Sequence, residues 1–206
     1  NGVDAFIPVA RIADMLLNPG ASFDYNGERF TYPEIDFAYW VGGNPFHHHQ
    51  DLNRLKDAFD RVGTIVVHDS FWTPMARFAD IVLPATMTLE RNDLACSNAD
   101  PTLTAMHQVA PPFAEARDDY AIFSDIAECL GAGARFTEGR TADEWVQHLY
   151  GTLRDALSER GCPAPDFEPF WHEGEITLPQ HPDDGGILRA FRNDPEACPL
   201  HTATGQ

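Results

Sequence analysis

Residues 35–84 contain Ile35-Asp36-Phe37-Ala38-Tyr39-Trp40-Val41, then Gly42-Gly43-Asn44-Pro45, then a polar-apolar stretch from Asp51 to Val62, then Thr64-Ile65-Val66-Val67-His68, and after Asp69 the run Ile81-Val82-Leu83-Pro84. The first run is rich in aromatic and β-branched residues, as a strand requires, and it stops at a glycine pair. Leu52, Leu55 and Phe59 then recur at helical spacing on one face. Thr64 to His68 is continuously apolar apart from its ends, the pattern of a strand buried on both faces of a parallel sheet. Strand, helix and strand in about thirty residues make a βαβ unit. A short helix through Met75 to Phe78 and a third strand, Ile81 to Leu83, stopped by Pro84, extend it. The fold expected is α/β with an open, mostly parallel, doubly wound sheet of Rossmann-like kind.

On the amino side, Ile7, Val9, Ile12, Met15 and Leu16 suit a short helix broken at Asn18-Pro19-Gly20, and Phe23 to Tyr32 around Asn26-Gly27 suits a small hairpin or irregular loop. Residues 1–34 are therefore read as an irregular lead-in without chemistry. Past Pro84 the pattern loosens, through Glu90 to Asp100 and on to Pro111-Pro112. A loop of that length inside a compact domain is usually functional. Asp119 to Leu130 has Tyr120, Ile122, Phe123, Ile126, Ala127 and Leu130 at helical spacing, closed by Gly131. The clearest helix runs from Thr141 to Arg160: Thr141 and Glu144 form a capping box, and Trp145, Val146, Leu149, Leu153 and Leu157 make an apolar stripe ended by Gly161. The α/β domain is thus placed at 35–161. Prolines at 163, 165, 169, 179, 182, 195 and 199 exclude long elements from 162–206. This tail is expected to be extended or irregular and to pack on a surface that can lie outside this chain.

Composition removes several function classes. The 206 residues can bury a core without covalent staples, and 32 Asp and Glu against 14 Lys and Arg leave a net charge of −18. Phosphate backbones repel such a chain, so nucleic acid is excluded as its main partner. Hydrophobic residues at 43% and charged residues at 22% place it in the globular class. No apolar run is long enough for a membrane span, and the first residues given do not show a basic n-region followed by an apolar h-region. It opens Asn1-Gly2-Val3 and closes Thr204-Gly205-Gln206, which leads us to expect a piece of a longer protein. Cys96, Cys129, Cys162 and Cys198 stand far apart without a C-x-x-C pair, so isolated thiols are expected rather than a zinc site or disulfide framework.

In an open α/β sheet, ligands sit beyond the carboxyl ends of the strands. There Gly42 and Gly43 allow close backbone approach, and the helix start that follows offers free N–H groups to phosphate. Asp69 ends the second strand, where a carboxylate can accept from ribose hydroxyls. Arg91, in Leu89-Glu90-Arg91-Asn92-Asp93, is suited to a pyrophosphate. Each has a plainer reading. Gly-Gly-Asn-Pro alone is a turn and lacks the G-x-G-x-x-G fingerprint. Asp69 can be a helix N-cap, a duty Ser70 or Thr73 can share, and Arg91 can be a solvated partner of Glu90. What favours the ligand reading is that all fall on one edge of one sheet. His47-His48-His49 cannot all face one metal from a regular element, and a loop histidine bonding a cofactor phosphate or pterin is the preferred reading. Ser70 and Ser97 have no G-x-S-x-G context for hydrolysis.

Longer motifs carry a resemblance. Residues Tyr39 to Leu55, Val66 to Asp69, Phe71 to Thr86, Leu89 to Asp93 and Glu115 to Tyr120, in that order, resemble the molybdopterin oxidoreductases, most of all the dimethyl sulfoxide, trimethylamine N-oxide and biotin sulfoxide reductase branch. The likeness covers residues 5 to 131 well and the tail weakly. It implies a large bacterial enzyme of four domains around one molybdenum held by two molybdopterin guanine dinucleotides, with this stretch part of an α/β domain that holds one of them. By position it implies Gly43, Asn44 and His48, beside Gly42, near phosphates or pterin, Asp69 on ribose, Arg91 on the nucleotide's phosphate or base side, and Asp119 on the guanine edge. A carboxylate suits guanine because its oxygens accept from the ring N–H and the exocyclic amino group together. The implied reaction is reduction of a small S-oxide or N-oxide by oxygen-atom transfer, with two electrons and two protons carrying the oxygen to water. The branch's serine metal ligand comes from an earlier segment, so these residues are assigned neither a catalytic group nor a metal ligand, and the stretch alone is expected to be inactive. Its partners would be the remaining domains of the parent chain. Members occur both in the cytoplasm and behind twin-arginine signals, and these residues assign neither compartment. The alternative is a non-catalytic α/β interaction module that kept the scaffold.

Overall fold

The computed structural model describes residues 7–97, 101–179, 188–202 and 204–205. Asn1-Gly2-Val3, Asp100, Pro182 and Gln206, named above, lie outside the described residues. The chain divides into two compact units, one comprising Asn1–Val67, Trp72–Val82 and Asp183–Gln206, the other His68–Phe71 and Leu83–Pro182.

In the first unit a 3-10 turn, Val9–Arg11, leads into α1 (Ile12–Leu17), followed by the antiparallel hairpin β1 (Ser22–Tyr25) and β2 (Glu28–Thr31). The hairpin turns at Asn26 and Gly27, both with positive φ, the left-handed geometry a two-residue turn needs. Then come β3 (Phe37–Val41), α2 (Pro45–His48), α3 (Leu52–Phe59), β4 (Thr64–Asp69), α4 (Pro74–Phe78) and β5 (Ile81–Pro84). The strands form an open parallel sheet in the order β3-β4-β5, as the alternation of apolar runs and helices requires. The chain passes from one unit to the other inside β4 and again inside β5.

The core of this unit is Leu16, Leu55, Ala58, Phe59, Ile65, Val67, Met75 and Ala76. Phe59 sits at its centre, with Trp40, Phe46 and Phe78 at centroid distances of 5.7, 5.9 and 5.9 Å. Leu52, read as part of the apolar face of α3, is exposed, and the buried side is Leu55, Ala58 and Phe59. Asp80 closes the unit by accepting from Ile65 N–H at 2.8 Å while its own N–H donates to Ile65 O at 3.0 Å. After residue 187 the described elements of this unit include α9 (Arg189–Asn193).

The second unit departs from expectation in the stretch read as a loop. It contains a short 3-10 turn, Thr88–Glu90, then β6 (Asp93–Ala95) and β7 (Thr102–Met106), which pair antiparallel. Thr102–Met106 alternates inward and outward, burying Leu103 and Ala105, so a period-two signal was present but short. The helices α5 (Asp119–Cys129), α6 (Gly133–Thr137) and α7 (Ala142–Glu159) follow. The capping box of α7 is formed: Thr141 Oγ1 accepts from Glu144 N–H, and the Glu144 carboxylate accepts from Thr141 N–H at 2.7 Å. Thr141→Ala is expected to lower local stability by about 1 kcal/mol, read as faster native-state hydrogen exchange at the amides of the first turns of α7.

The buried side of α7 is Val146, Tyr150 and Leu157, whereas Leu149 is 55% exposed. The inward stripe therefore runs through a tyrosine rather than through every leucine. Tyr150 can be buried because its hydroxyl donates to Pro165 O at 2.8 Å. Among its described residues the Pro-rich tail holds no long element, but it is not detached. It forms α8 (Phe167–Glu173) and β8 (Glu175–Thr177), and β8 pairs with β7. Phe170 is fully buried and stacks on Tyr150 at 4.3 Å, joining Leu103 and Ala105 in the second core. Among the described residues no helix is long and apolar enough to cross a membrane.

Candidate functional site

In the second unit three chain segments meet at the carboxyl end of β4. The Asp69 carbonyl accepts from Ala85 N–H at 3.1 Å, and Ala85 bridges in parallel to Arg117. Arg117 N–H donates to Pro84 O and Thr86 N–H to Arg117 O, both at 3.0 Å. This short ladder brings the start of α5 beside the strand ends. Asp118 is the N-cap, accepting from Ala121 N–H at 2.8 Å, so Asp119 falls in the first helical turn. A carboxylate is favourable there because the helix amino end is the positive end of its dipole.

Asp119 Oδ1 lies 2.7 Å from Nδ1 of His68. The histidine is 1% exposed and the aspartate side chain 48%, so one end of the pair is anchored inside and the other reaches solvent. Asp69 Oδ1 accepts from Phe71 N–H at 3.1 Å in an Asx turn, while Thr73, not Asp69, caps α4 through Ala76 N–H. Arg91 is held by Asp93, with Nε to Oδ2 at 3.1 Å, and by Thr86 O, with Nη1 at 3.4 Å. Glu90, the partner in the plainer reading of Arg91, instead accepts from the N–H groups of Met87 and Phe113. Thr86 Oγ1 is buried and has no partner among the described residues.

The first unit holds Gly42, Gly43, Asn44 and His48. Gly42 and Gly43 have φ of 66° and 74°, a region that costs other residues about 1–2 kcal/mol. A Cβ at Gly42 would meet nothing within 4 Å, and one at Gly43 would reach Trp40 Nε1 at 4.0 Å. The space before this turn is open. Asn44 caps α2 by accepting from Phe46 N–H at 3.2 Å, with Pro45 in the first turn, but its Nδ2 is buried and has no partner among the described residues. His48 lies against His49, ring centroids 5.1 Å apart. His49, read from sequence only as part of the histidine triple, has a buried Nε2 without a partner among the described residues, and burial together with neighbouring His48 pushes its pKa below the ordinary imidazole value.

Of the residues expected at the site, Asp69, Arg91 and Asp119 belong to the second unit and Gly42, Gly43, Asn44 and His48 to the first. His68 and Thr86 were missed, and His49 was read only as one of the histidine triple, with His48 chosen from it. A polar residue ending the apolar run Ile65-Val66-Val67 was the available signal for His68, whereas burial of His49 and Thr86 leaves no local trace.

The model of the family described as molybdopterin oxidoreductase matches residues 13–129. The chain belongs to the molybdopterin oxidoreductase family. It is 49% identical over 204 residues to a biotin sulfoxide reductase of Cereibacter sphaeroides, covering 98% of this chain and 27% of that protein. It is 47% identical over 203 residues to a dimethyl sulfoxide/trimethylamine N-oxide reductase of Rhodobacter capsulatus, covering 97% and 24%. To a trimethylamine-N-oxide reductase of Haemophilus influenzae it is 42% identical over 207 residues, covering 97% and 25%. The chain thus spans about a quarter of the length of these relatives. Among solved structures, acetylene hydratase from Pelobacter acetylenicus superposes with a TM-score of 0.53 at 22% identity, covering 85% of this chain and 21% of that one. That likeness speaks for the fold alone.

Proposed function

We propose that this chain contributes to holding molybdopterin guanine dinucleotide in a molybdenum-dependent reductase of S-oxides or N-oxides, with Asp119 on the guanine edge. The observation that carries this reading is the half-exposed Asp119 carboxylate at the strand ends, backed by a buried histidine. Guanine offers a ring N–H and an amino group side by side, and a carboxylate accepts both. Asp69, two backbone links from that edge through Ala85 and Arg117, is assigned to ribose hydroxyls. Arg91 is assigned to the phosphate or base side of the nucleotide, its guanidinium already oriented by Asp93 and Thr86 O.

In the first unit, Gly42 and Gly43 with Asn44 and His48 are assigned to phosphate or pterin. The fit there rests on open space before the glycine turn and on buried polar atoms, Asn44 Nδ2 and His49 Nε2, that lack partners among the described residues. Such atoms are costly unless something bonds them. When bound, the cofactor supplies two-electron oxygen-atom transfer chemistry. The protein residues named here bind and orient it. At a net charge of −18 the overall field opposes an anionic dinucleotide, so its retention rests on these local donors.

The test is analytical. The full-length protein, purified from a molybdopterin-producing bacterium, is expected to release two GMP for each molybdenum on acid hydrolysis. Cytidine nucleotide, or none, would overturn the guanine assignment, and absence of molybdenum would favour the interaction module.

A further inference from the structure

His68 closes the buried run of β4 and is 1% exposed, an expensive position for an imidazole unless its polar atoms are bonded. Its Nδ1 lies 2.7 Å from Asp119 Oδ1. An ionised carboxylate only accepts, so Nδ1 carries the hydrogen. The ring is also packed against Phe123 of α5, with centroids 5.1 Å apart and planes 32° apart. Strand and helix together therefore fix the imidazole.

Asp119 is in the opposite situation. Its side chain is 48% exposed in the first turn of α5, and the last torsion of an aspartate is broad and nearly two-fold. Left to itself the carboxylate plane would swing. A bond of 2.7 Å from a donor that cannot move removes that freedom. The bond uses one lone pair of Oδ1 and leaves the rest of the carboxylate for ligand donors. A planar base with two parallel N–H donors needs the carboxylate plane aligned with its own, and a rotated carboxylate keeps at most one of the two bonds.

We propose that His68 is a positioning residue that fixes the plane of the Asp119 carboxylate and thereby sets selectivity for a base bearing both a ring N–H and an adjacent amino group. The inference rests on the reading of Asp119 as the guanine contact.

The test compares GMP with IMP, which lacks the amino group, as probes titrated into full-length protein prepared from a host unable to make molybdopterin. The wild type is expected to prefer GMP by about tenfold, the value of one hydrogen bond to a charged group. His68→Leu, which keeps apolar volume and removes the donor, is expected to bring the ratio close to one. His68→Asn places an amide N–H near the former Nδ1 and is expected to retain most of the preference. His68→Gln carries its N–H one bond too far and is expected to lose it, which keeps the comparison decisive should the leucine variant fail to fold. A merely structural role would not move the ratio between two nucleotides. If His68→Leu keeps the GMP preference while Asp119→Asn abolishes it, the role of His68 is overturned and the guanine reading stands. If Asp119→Asn keeps the preference, or the wild type has none, the guanine reading itself fails.

Discussion

Phe170→Ala is expected to destabilise the second unit by about 3–5 kcal/mol, the cost of emptying a fully buried aromatic site. Phe170 is 0% exposed and stacks on Tyr150 at 4.3 Å with planes 9° apart, while Phe167 meets its edge. Tyr150 is itself 1% exposed and ties its hydroxyl to Pro165 O, which holds its ring beside the space that Phe170 would vacate. Burial also pushes the Tyr150 hydroxyl's pKa up, which keeps it a donor throughout the ordinary pH range. A loss of this size is a large share of the 5–15 kcal/mol typical of a folded domain. Because a long multi-domain chain does not unfold in two states, the appropriate measurement is native-state hydrogen exchange at the amides of α7 and β7 in the full-length protein. Unchanged exchange there would show that α8 does not belong to this core.

Asp119→Asn in the full-length protein is expected to reduce retained GMP by about ten- to a hundredfold, the loss of a hydrogen bond to a charged acceptor. The substitution separates ligand from fold. Asparagine keeps an oxygen that can accept from His68 Nδ1, so the buried imidazole stays satisfied and the thermal midpoint should hold. The other atom turns from acceptor to donor and meets the guanine N–H groups head on. Asp119→Ala behaves differently, since it removes the acceptor facing Nδ1 of the buried His68 and adds about 1–3 kcal/mol of instability to the binding loss. Nucleotide released per polypeptide, read beside the melting temperature, distinguishes the two variants. An unaltered GMP content in the asparagine variant would remove Asp119 from the guanine site.

Several features were legible because they depend on neighbours in the chain. The run Thr64 to His68 is a strand in almost the predicted bounds, because a continuous apolar run that short, ended by Asp69, has few other ways to bury itself. Thr141 and Glu144 form their reciprocal cap because both partners lie within one turn. The five motifs that carried the resemblance lie largely in or close to the strands and turns of the parallel sheet, where spacing along the chain and spacing in the fold coincide.

What depended on distant partners was not legible. Asp93-Leu94-Ala95 is too short to read as a strand, and it becomes one only because Thr102–Met106 pairs beside it and Glu175–Thr177 completes the sheet from seventy residues further on. The apolar stripe pointed Leu149 inward, whereas the fold buries Tyr150 beside it, stacked on Phe170 from another segment of the chain. Arg91 chose Asp93 over adjacent Glu90 because Glu90 was already turned toward the Met87 and Phe113 amides. The pattern of apolar runs, glycines and caps thus specified an α/β sheet and the residue types at its carboxyl edge. Which carboxylate is backed by a buried imidazole, and which polar atoms are left without protein partners, depends on contacts across fifty residues such as His68 to Asp119. Such contacts form only when burial makes an unpaired polar group too costly to leave alone.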